Sequence, residues 1–453
     1  MNNRKRPSLL LIVFLLLESC AVYRPKPIDE HAVSQALAPP DLAAIRIKAE
    51  EIKHPILKPR GIDFKKGVSA GDAAIIAVIA NPALRARRDQ RGIAGAQLIQ
   101  AGILPNPVFS YSLDVPTGGS DQGTVDAYGL GVDWNILQTL LTRGARMDAA
   151  RARAASVDLD IAWDEWQTAE SAKQHVYRLV YAVRQLALAR QEEAGLEKDR
   201  SAVKKAVDMG DMTVLDLDAV DAAVRRIHTV VLETGQELKR ERLALNDVLG
   251  FPPDSKVPLS KDIQPPAFKS LPDLQEIMDG LQGRRLDLLA LRMGYRSREA
   301  NLRAAVRAQF PSIGLGFSHA RDTGNVVTTG FSISIELPFF DRNQGRIAIE
   351  KATRRQLYDE YLDRVFQARA DAAKILADIG WVEKQADAED KAVEALERLV
   401  RASYNGFLEG NVDALSYYAE VERLFSRRLQ ALKLRQDLAD LHIALEITAG
   451  EFL

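Results

Sequence analysis

The sequence predicts a mainly α-helical protein with a smaller membrane β portion, in which a strand hairpin followed by a long helical hairpin occurs twice. Three observations carry this prediction. Four short segments alternate apolar and small polar residues, two long stretches lack proline, and both features recur about 200 residues apart. Recurrence at a fixed spacing indicates a duplicated unit.

The N-terminus has the pattern of an export signal. A basic cluster precedes an apolar run from residue 9 to 17, which is too short to span a bilayer. The tetrapeptide LESC, residues 17–20, resembles a bacterial lipoprotein signal, although Glu18 occupies a position that is usually small or apolar. We expect residues 1–19 to be a signal peptide and Cys20 to be lipidated. An ordinary cleaved signal is the alternative.

The composition excludes several classes of function. The net charge of −1 gives no basic excess for binding nucleic acid. The single cysteine allows neither a disulfide framework nor a thiolate metal site. We find no catalytic or nucleotide-binding motif, and we expect neither enzymatic activity nor a cofactor. No resident metal site is expected either, because the histidines are scattered: His31, His54, His175, His228, His319 and His442.

The two halves of the chain share an order of elements. Asn81 aligns with Arg285, Pro107 with Pro311, and Gly210 with Gly410. The prolines between the halves forbid a continuous helix and mark a linker. The expected segments are a lipidated N-terminal periplasmic segment (20–68), a first repeat (69–250), the proline-rich linker (251–272) and a second repeat (273–453).

The alternating segments predict four β-strands. Each places aromatic and aliphatic side chains on one face and glycine, serine or an acidic residue on the other. Their length suits strands that cross a bilayer at a tilt, although a half-buried soluble sheet alternates in the same way. Strands in a membrane would require oligomerisation, because four cannot close a barrel. The expected strands are about 107–116, 124–136, 311–320 and 326–338.

The proline-free stretches predict long helical hairpins over about 145–249 and 346–450. A helix of this length belongs to a coiled coil or a helical array rather than to one globular core. Apolar residues spaced three and four apart support a coiled-coil seam. On the first helix these residues are Ala172, Val176, Leu179, Val183 and Leu186.

This duplicated order resembles the TolC-like outer-membrane factors, also called outer membrane efflux proteins. The resemblance covers the chain from about residue 69 to the C-terminus and rests on the order of elements more than on one motif. It implies a homotrimer in the bacterial outer membrane, in contact with lipid. Three protomers of four strands would form a twelve-stranded β-barrel, continued across the periplasm by an α-helical barrel.

Two stretches, AGILPNPVFSYSL and LPFFDRNQG, resemble the cobalt–zinc–cadmium branch of the family. The resemblance implies the exit duct of a tripartite efflux system, which passively conducts heavy-metal cations or small toxic molecules from the periplasm to the exterior. The implied partners are a periplasmic adaptor (membrane fusion) protein and a proton-driven RND-type pump in the inner membrane. The alternatives are the exit duct of a type I protein-secretion system and a structural periplasmic coiled-coil lipoprotein.

The resemblance also assigns roles to positions of this chain. The helical tips would dock the adaptor and gate the tunnel, and Asp211 and Asp413 would form an acidic constriction that favours cations. A simple helix cap is the alternative reading of these two residues. The expected positions are the tips (Gly210, Asp211, Met212, Gly410, Asn411, Val412, Asp413), the junctions between barrel and helices (Pro107, Gly144, Pro311, Pro338, Gly345) and the lumen (Asp114, Asp133, Glu336).

Overall fold

The computed structural model describes residues 22–119, 123–266 and 271–453. The expected signal peptide and Cys20 lie outside these residues. The chain divides into two compact units, residues 1–40 and 41–453. In the first unit, helix α1 (Glu30–Ala36) is capped by Asp29, whose carboxylate accepts a hydrogen bond from the Ala32 amide at 2.7 Å.

The second unit contains two copies of one order: two helices, a strand hairpin, a long helix and a shorter helix. A preceding helix, α2, spans Leu42–Glu50. The first copy is α3 (Ala70–Ala80), α4 (Pro82–Gly102), β1 (Val108–Asp114), β2 (Ala127–Trp134), α5 (Leu137–Met209) and α6 (Val214–Leu249). The second copy is α7 (Leu274–Arg284), α8 (Leu286–Arg307), β3 (Ile313–Arg321), β4 (Val327–Ile335), α9 (Gln344–Leu408) and α10 (Ala414–Ala449).

Two helices dominate the second unit. Helix α5 has 73 residues and α9 has 65, so they are about 110 and 98 Å long at 1.5 Å per residue. Each is followed by a return helix of 36 residues. The chain starts α5 at Leu137, eight residues before the expected position, and Gly144 lies within its second turn. Among the described residues, none of the helices carries an apolar run that could span a lipid bilayer.

The strands form one antiparallel sheet in the order β1-β2-β3-β4. Each hairpin supplies two adjacent strands, and β2 pairs with β3 to join the two copies. One row across the sheet runs Phe109, Val132, Phe317 and Phe331. The neighbouring row runs Ser110, Gly131, Ser318 and Gly330. The register therefore keeps large and small residues on opposite faces.

The long helices pack through a small-residue and aliphatic seam. Ala172, Val176 and Leu179 are buried, as the spacing predicts. The prediction for Val183 is wrong: it is 49% exposed, and Ala182 is buried instead at 3%. The buried position follows Leu179 by three residues rather than four. In an ideal helix the residues of a strict seven-residue repeat gradually rotate away from the contact face.

The segment before α3 is fastened to the linker between the copies. The Val68 amide donates to the Pro258 carbonyl at 2.8 Å, and the Ser260 amide donates to the Val68 carbonyl at 3.1 Å. A Cβ at Gly67, whose φ is +88°, would lie 2.7 Å from the Leu259 backbone. The linker is therefore part of the packed structure in its described residues, 251–266 and 271–272.

Candidate functional site

The sheet exposes its apolar face. Phe109, Tyr111, Phe331 and Ile333 are each at least 60% exposed. A folded chain rarely leaves so many large apolar side chains in one contiguous exposed patch, unless lipid or protein covers them. The face therefore needs an apolar environment.

The opposite face is built from serine and glycine in register. A Cβ at Gly129 would lie 2.6 Å from the Ser112 Oγ atom, and one at Gly131 would lie 2.5 Å from that of Ser110. The serine side chains thus occupy the space above the glycines of the neighbouring strand. The result is a shallow, polar face that suits contact with water.

The three acidic residues expected in the lumen lie at different heights of the sheet. Asp114 pairs with Ala127 at the end next to the hairpin loop, and Asp133 pairs with Val108 at the end next to the helices. Six residues of β1 separate these positions, which is about 20 Å. Glu336 follows β4 at the helical end, where its Oε2 atom accepts a hydrogen bond from the Ser312 hydroxyl at 2.7 Å. The acidic residues are not one cluster.

Prolines flank the strands at the helical end. Pro107 immediately precedes β1, Pro311 lies two residues before β3, and Pro338 follows β4. Proline cannot donate to a strand ladder, so these positions mark where pairing ends. The indole of Trp134 fastens the same end by donating to the Pro105 carbonyl at 2.8 Å.

The turn from β4 into α9 depends on Asn343. Its φ of +60° is in the left-handed region, and its Nδ2 atom donates to the Ala305 carbonyl of α8 at 2.7 Å. Asparagine tolerates this conformation better than most residues. Gly345 lies inside α9, and a Cβ there would meet no atom within 4 Å. Asn343 rather than Gly345 therefore makes the turn.

The first helical tip is a four-residue reversal between α5 and α6. Gly210 ends α5 with a φ of +82°, and the Asp211 amide donates to the Ala206 carbonyl at 2.9 Å. Thr213 and Asp216 then form a capping box that starts α6. Asp211 is exposed and Met212 is half-buried.

The second tip repeats this geometry between α9 and α10. Gly410 has a φ of +74°, and the Asn411 amide donates to the Gly406 carbonyl at 2.7 Å. Asp413 caps α10: its carboxylate accepts the Ser416 amide at 2.9 Å and the Ser416 hydroxyl at 2.7 Å. These hydrogen bonds, led by the one from the Ser416 backbone, lower the pKa of Asp413. Asp413 therefore stays ionised and is also a helix cap.

The two tips lie next to each other in the second unit. Met212 of the first tip and Val412 of the second pack against one cluster of buried residues that includes Leu196, Val220 and Tyr418. Around this cluster several large apolar side chains remain exposed. They are Met209 at 71%, Val214 at 64%, Leu215 at 77%, Leu408 at 66% and Leu415 at 71%.

A buried ionic cluster joins the two copies. The Lys173 ammonium lies 2.9 Å from Glu170 and 2.5 Å from Glu446 of α10. Burial raises the pKa of Glu170 to about 8. Burial also acts to raise the pKa of Glu446, but hydrogen bonds from His442 and Lys173 outweigh it and lower that pKa to about 2. At neutral pH Lys173 therefore pairs with the ionised carboxylate of Glu446, and Glu170 keeps its proton.

Comparison with known proteins identifies this architecture. The sequence profile of the outer membrane efflux protein family matches residues 278–451, from within α7 to just past α10. This part of the chain, most of the second copy, is therefore similar to the outer membrane efflux proteins. A comparison with curated protein sequences gives no match.

Solved structures have the same fold as this chain. CusC superposes with a TM-score of 0.72 at 19% identity, over 88% of this chain and 98% of that one. The outer-membrane channel OprN gives 0.71 at 17% identity, over 95% and 98% of the two chains. VceC of Vibrio cholerae gives 0.70 at 16% identity, over 84% and 96%. At these identities the likeness establishes the fold.

Sequence reasoning missed several features of this candidate site. The exposed apolar side chains of the tips were not singled out, although Leu215 and Leu415 occupy matching positions after Gly210 and Gly410. The sequence places the turn at residues 342–345 with Gly345 as the junction, and the structure shows that Asn343 is the left-handed residue within it. Glu170 and Lys173 could have been noticed as charges interrupting an apolar seam.

Proposed function

We propose that this protein is the exit duct of a tripartite efflux system, and that three copies share one twelve-stranded barrel. The observation that carries the proposal is the sheet. Strands β1 and β4 form its two edges, and its apolar face is exposed. Open edges are not tolerated in hydrocarbon, so β1 of one copy would pair with β4 of the next.

The Ser/Gly face would then line a wet lumen, and the long helices would continue the channel into the periplasm. The short side chains of this face leave the lumen open, as a passive duct requires. Asp114 and Asp133 would lie on the wet face at two heights, where charges tune the selectivity of a pore. Glu336 would lie at the inner rim.

The tips would be the docking end for a periplasmic adaptor protein, with a proton-driven pump behind it. Exposed apolar side chains such as Leu215 and Leu415, 77% and 71% exposed, suit contact with a partner's helical hairpin. Lipidation of Cys20 would add an anchor to the outer membrane. One acyl chain alone binds a membrane weakly, so the barrel would supply the main attachment.

Heavy-metal cations are the favoured cargo, on the strength of the two stretches that resemble the cobalt–zinc–cadmium branch. In the described residues no group of three or more His, Cys, Asp and Glu could hold a metal ion. A duct passes its cargo onward and needs no such site.

Complementation of a deletion strain tests this function. The strain should become sensitive to cobalt, zinc or cadmium salts, and the wild-type gene should restore resistance. A double variant, Leu215→Asp with Leu415→Asp, should fail to restore it while reaching the outer membrane in normal amount. Ile47→Asp is the matched control, because Ile47 is 55% exposed but lies on α2, far from the tips. A deletion strain with normal metal resistance would contradict metals as the cargo. Loss of drug resistance or of protein secretion in that strain would instead identify drugs or proteins as the cargo.

A further inference from the structure

A cavity of about 690 Å³ lies between α4, α5 and α8, with α9 at its side. Its floor is made of small residues, among them Ala149, Gly294 and Ser297. These residues let α5 and α8 approach closely, and the Ser297 hydroxyl donates to the Ala149 carbonyl at 2.8 Å. Because these side chains are short, they leave open space next to the point where the two helices cross.

The rim of the cavity is basic and amide-rich. Arg146 and Arg153 extend from α5, and Arg298 extends from α8. Gln97 and Gln100 of α4 and Asn301 of α8 add carboxamides. Asp160 is the one carboxylate in this lining.

The arginines at the cavity differ from those in the rest of the interface between α4 and α5, where arginines are paired with carboxylates. Further from the sheet, Arg88 of α4 pairs with Glu165 at 2.6 Å, and Arg91 pairs with Asp158 at 3.0 Å. At the cavity the arginines are on α5, and α4 offers glutamine instead of a carboxylate. Among the residues that the structure describes, Arg146 and Arg153 form no ion pair within 4.0 Å, and Arg298 has only Glu350 at 3.9 Å.

The lining has the chemistry of an oxyanion site. Guanidinium groups bind phosphoryl oxygens through paired, charge-assisted hydrogen bonds, and carboxamides add neutral donors. Two turns of α5, about 10 Å, separate Arg146 from Arg153, a gap that two arginine side chains can close around one phosphoryl group. The volume exceeds that of a free phosphate, and Leu291 and Leu357 give the cavity an apolar side.

We propose that this cavity binds a phosphate ester, with its phosphoryl group between Arg146 and Arg153 and the remainder of the molecule against Leu291 and Leu357. A soluble sugar or glycerol phosphate and a phospholipid headgroup share this chemistry. The proposal does not depend on efflux, and its test measures binding alone.

The test uses the purified full-length protein in a neutral detergent. Titration calorimetry with sn-glycerol 3-phosphate should show binding that weakens as salt increases, since exposed charges are screened. A double variant, Arg146→Gln with Arg153→Gln, should bind about 100-fold more weakly, at about tenfold for each arginine. Arg146→Lys should fall between, because lysine keeps the charge but loses the paired geometry. Arg151→Gln is the matched control: it lies on the same helix, outside the cavity, and pairs with Asp148 at 3.2 Å.

A second arm distinguishes the sources of the phosphate. Native mass spectrometry of protein from nanodiscs would detect retained phosphatidylglycerol, with pure phosphatidylcholine discs as reference. Retention of phosphatidylglycerol without binding of glycerol phosphate assigns the cavity to a lipid headgroup, and the reverse assigns it to a soluble ester. Absence of both, or equal binding by the double variant, would overturn the proposal. The proposal would also be overturned if the only effect of the double variant were a changed oligomeric state. The arginines would then contact a second copy of the chain rather than a phosphate ester.

Discussion

Lys173 of α5 and Glu446 of α10 lie 2.5 Å apart, although 273 residues separate them along the chain. Both side chains are almost fully buried, at 11% and 4% exposed. The ring of Phe452 covers the ammonium at 4.8 Å and meets Trp166 edge-on. One buried ion pair therefore joins the first copy of the repeat to the second.

Breaking this pair should destabilise the fold strongly. Glu446→Gln leaves Lys173 with only Glu170 inside the bundle, and we expect a loss of about 3 kcal/mol in the free energy of unfolding. Denaturant unfolding in detergent measures it. Glu422→Gln is the control, since Glu422 pairs with Arg226 on the surface and should change little. Equal effects of the two variants would contradict a structural role for the buried pair.

The same cluster predicts a pH dependence of stability. The pKa of Glu170 is about 8 in the folded protein, against an ordinary value of 4.5. Between these values the folded state binds more protons than the unfolded state, so Glu170 makes stability fall as the pH rises. The slope from this group is at most about 1.4 kcal/mol per pH unit. Glu170→Gln should be less sensitive than the wild type between pH 5 and 8, and parallel curves would contradict the assignment.

Glu446 has the opposite effect on stability, which it makes rise with pH in a lower pH range. Its pKa of about 2 lies below the ordinary 4.5, so its contribution is present above pH 4.5 and disappears as the pH falls toward 2. In the same unfolding series, Glu446→Gln should lack this acid-side loss while Glu170→Gln retains it.

The junction between sheet and helix should depend on Asn343. Asn343→Val forces a β-branched residue into a left-handed conformation and removes the hydrogen bond to Ala305, at a cost of about 2–3 kcal/mol. Asn343→Gly keeps the conformation and should cost about 1 kcal/mol. Gly345→Ala should be neutral or stabilising by up to about 1 kcal/mol, because the position is helical and open. Thermal unfolding ranks the three, and a larger loss in Gly345→Ala would place the turn there instead.

The tip carboxylates should differ in their effect on conduction. Asp211 is exposed, whereas the carboxylate of Asp413 is bound as a helix cap. We expect Asp211→Asn to lower the preference for cations more than Asp413→Asn does, in single-channel recordings in planar bilayers. Asparagine caps helices as well as aspartate, so neither change should disturb the fold. Unchanged selectivity in the double variant would refute an acidic constriction.

The strands and the long helices could be predicted because each depends on a local pattern. Alternation marks both hairpins, and the absence of proline permits α5 and α9. The pairing of β2 with β3 could not be predicted, since it joins segments about 180 residues apart and depends on tertiary packing. Gly144 suggests a break, so the expected start of α5 at about residue 145 is later than the observed start at Leu137. A helical glycine costs only about 1 kcal/mol, and the packing of α5 outweighs this.

The positions of the tips could be predicted from the sequence, but the roles of their side chains could not. Gly210 and Gly410 mark the tips, because a left-handed residue ends each long helix. The sequence alone could not decide between a cap and a gate for Asp413, because the two roles are not exclusive. The cavity below the sheet left no local signal, since arginines from two helices meet there only after folding.

The decisive measurement for the shared barrel is the native mass of the protein extracted from outer membranes in detergent. We expect a trimer, because the described part of each chain supplies four strands, and their sheet has two edges to pair. A monomer that stays in solution without detergent would contradict it, since the apolar face and the edges would then need no partner.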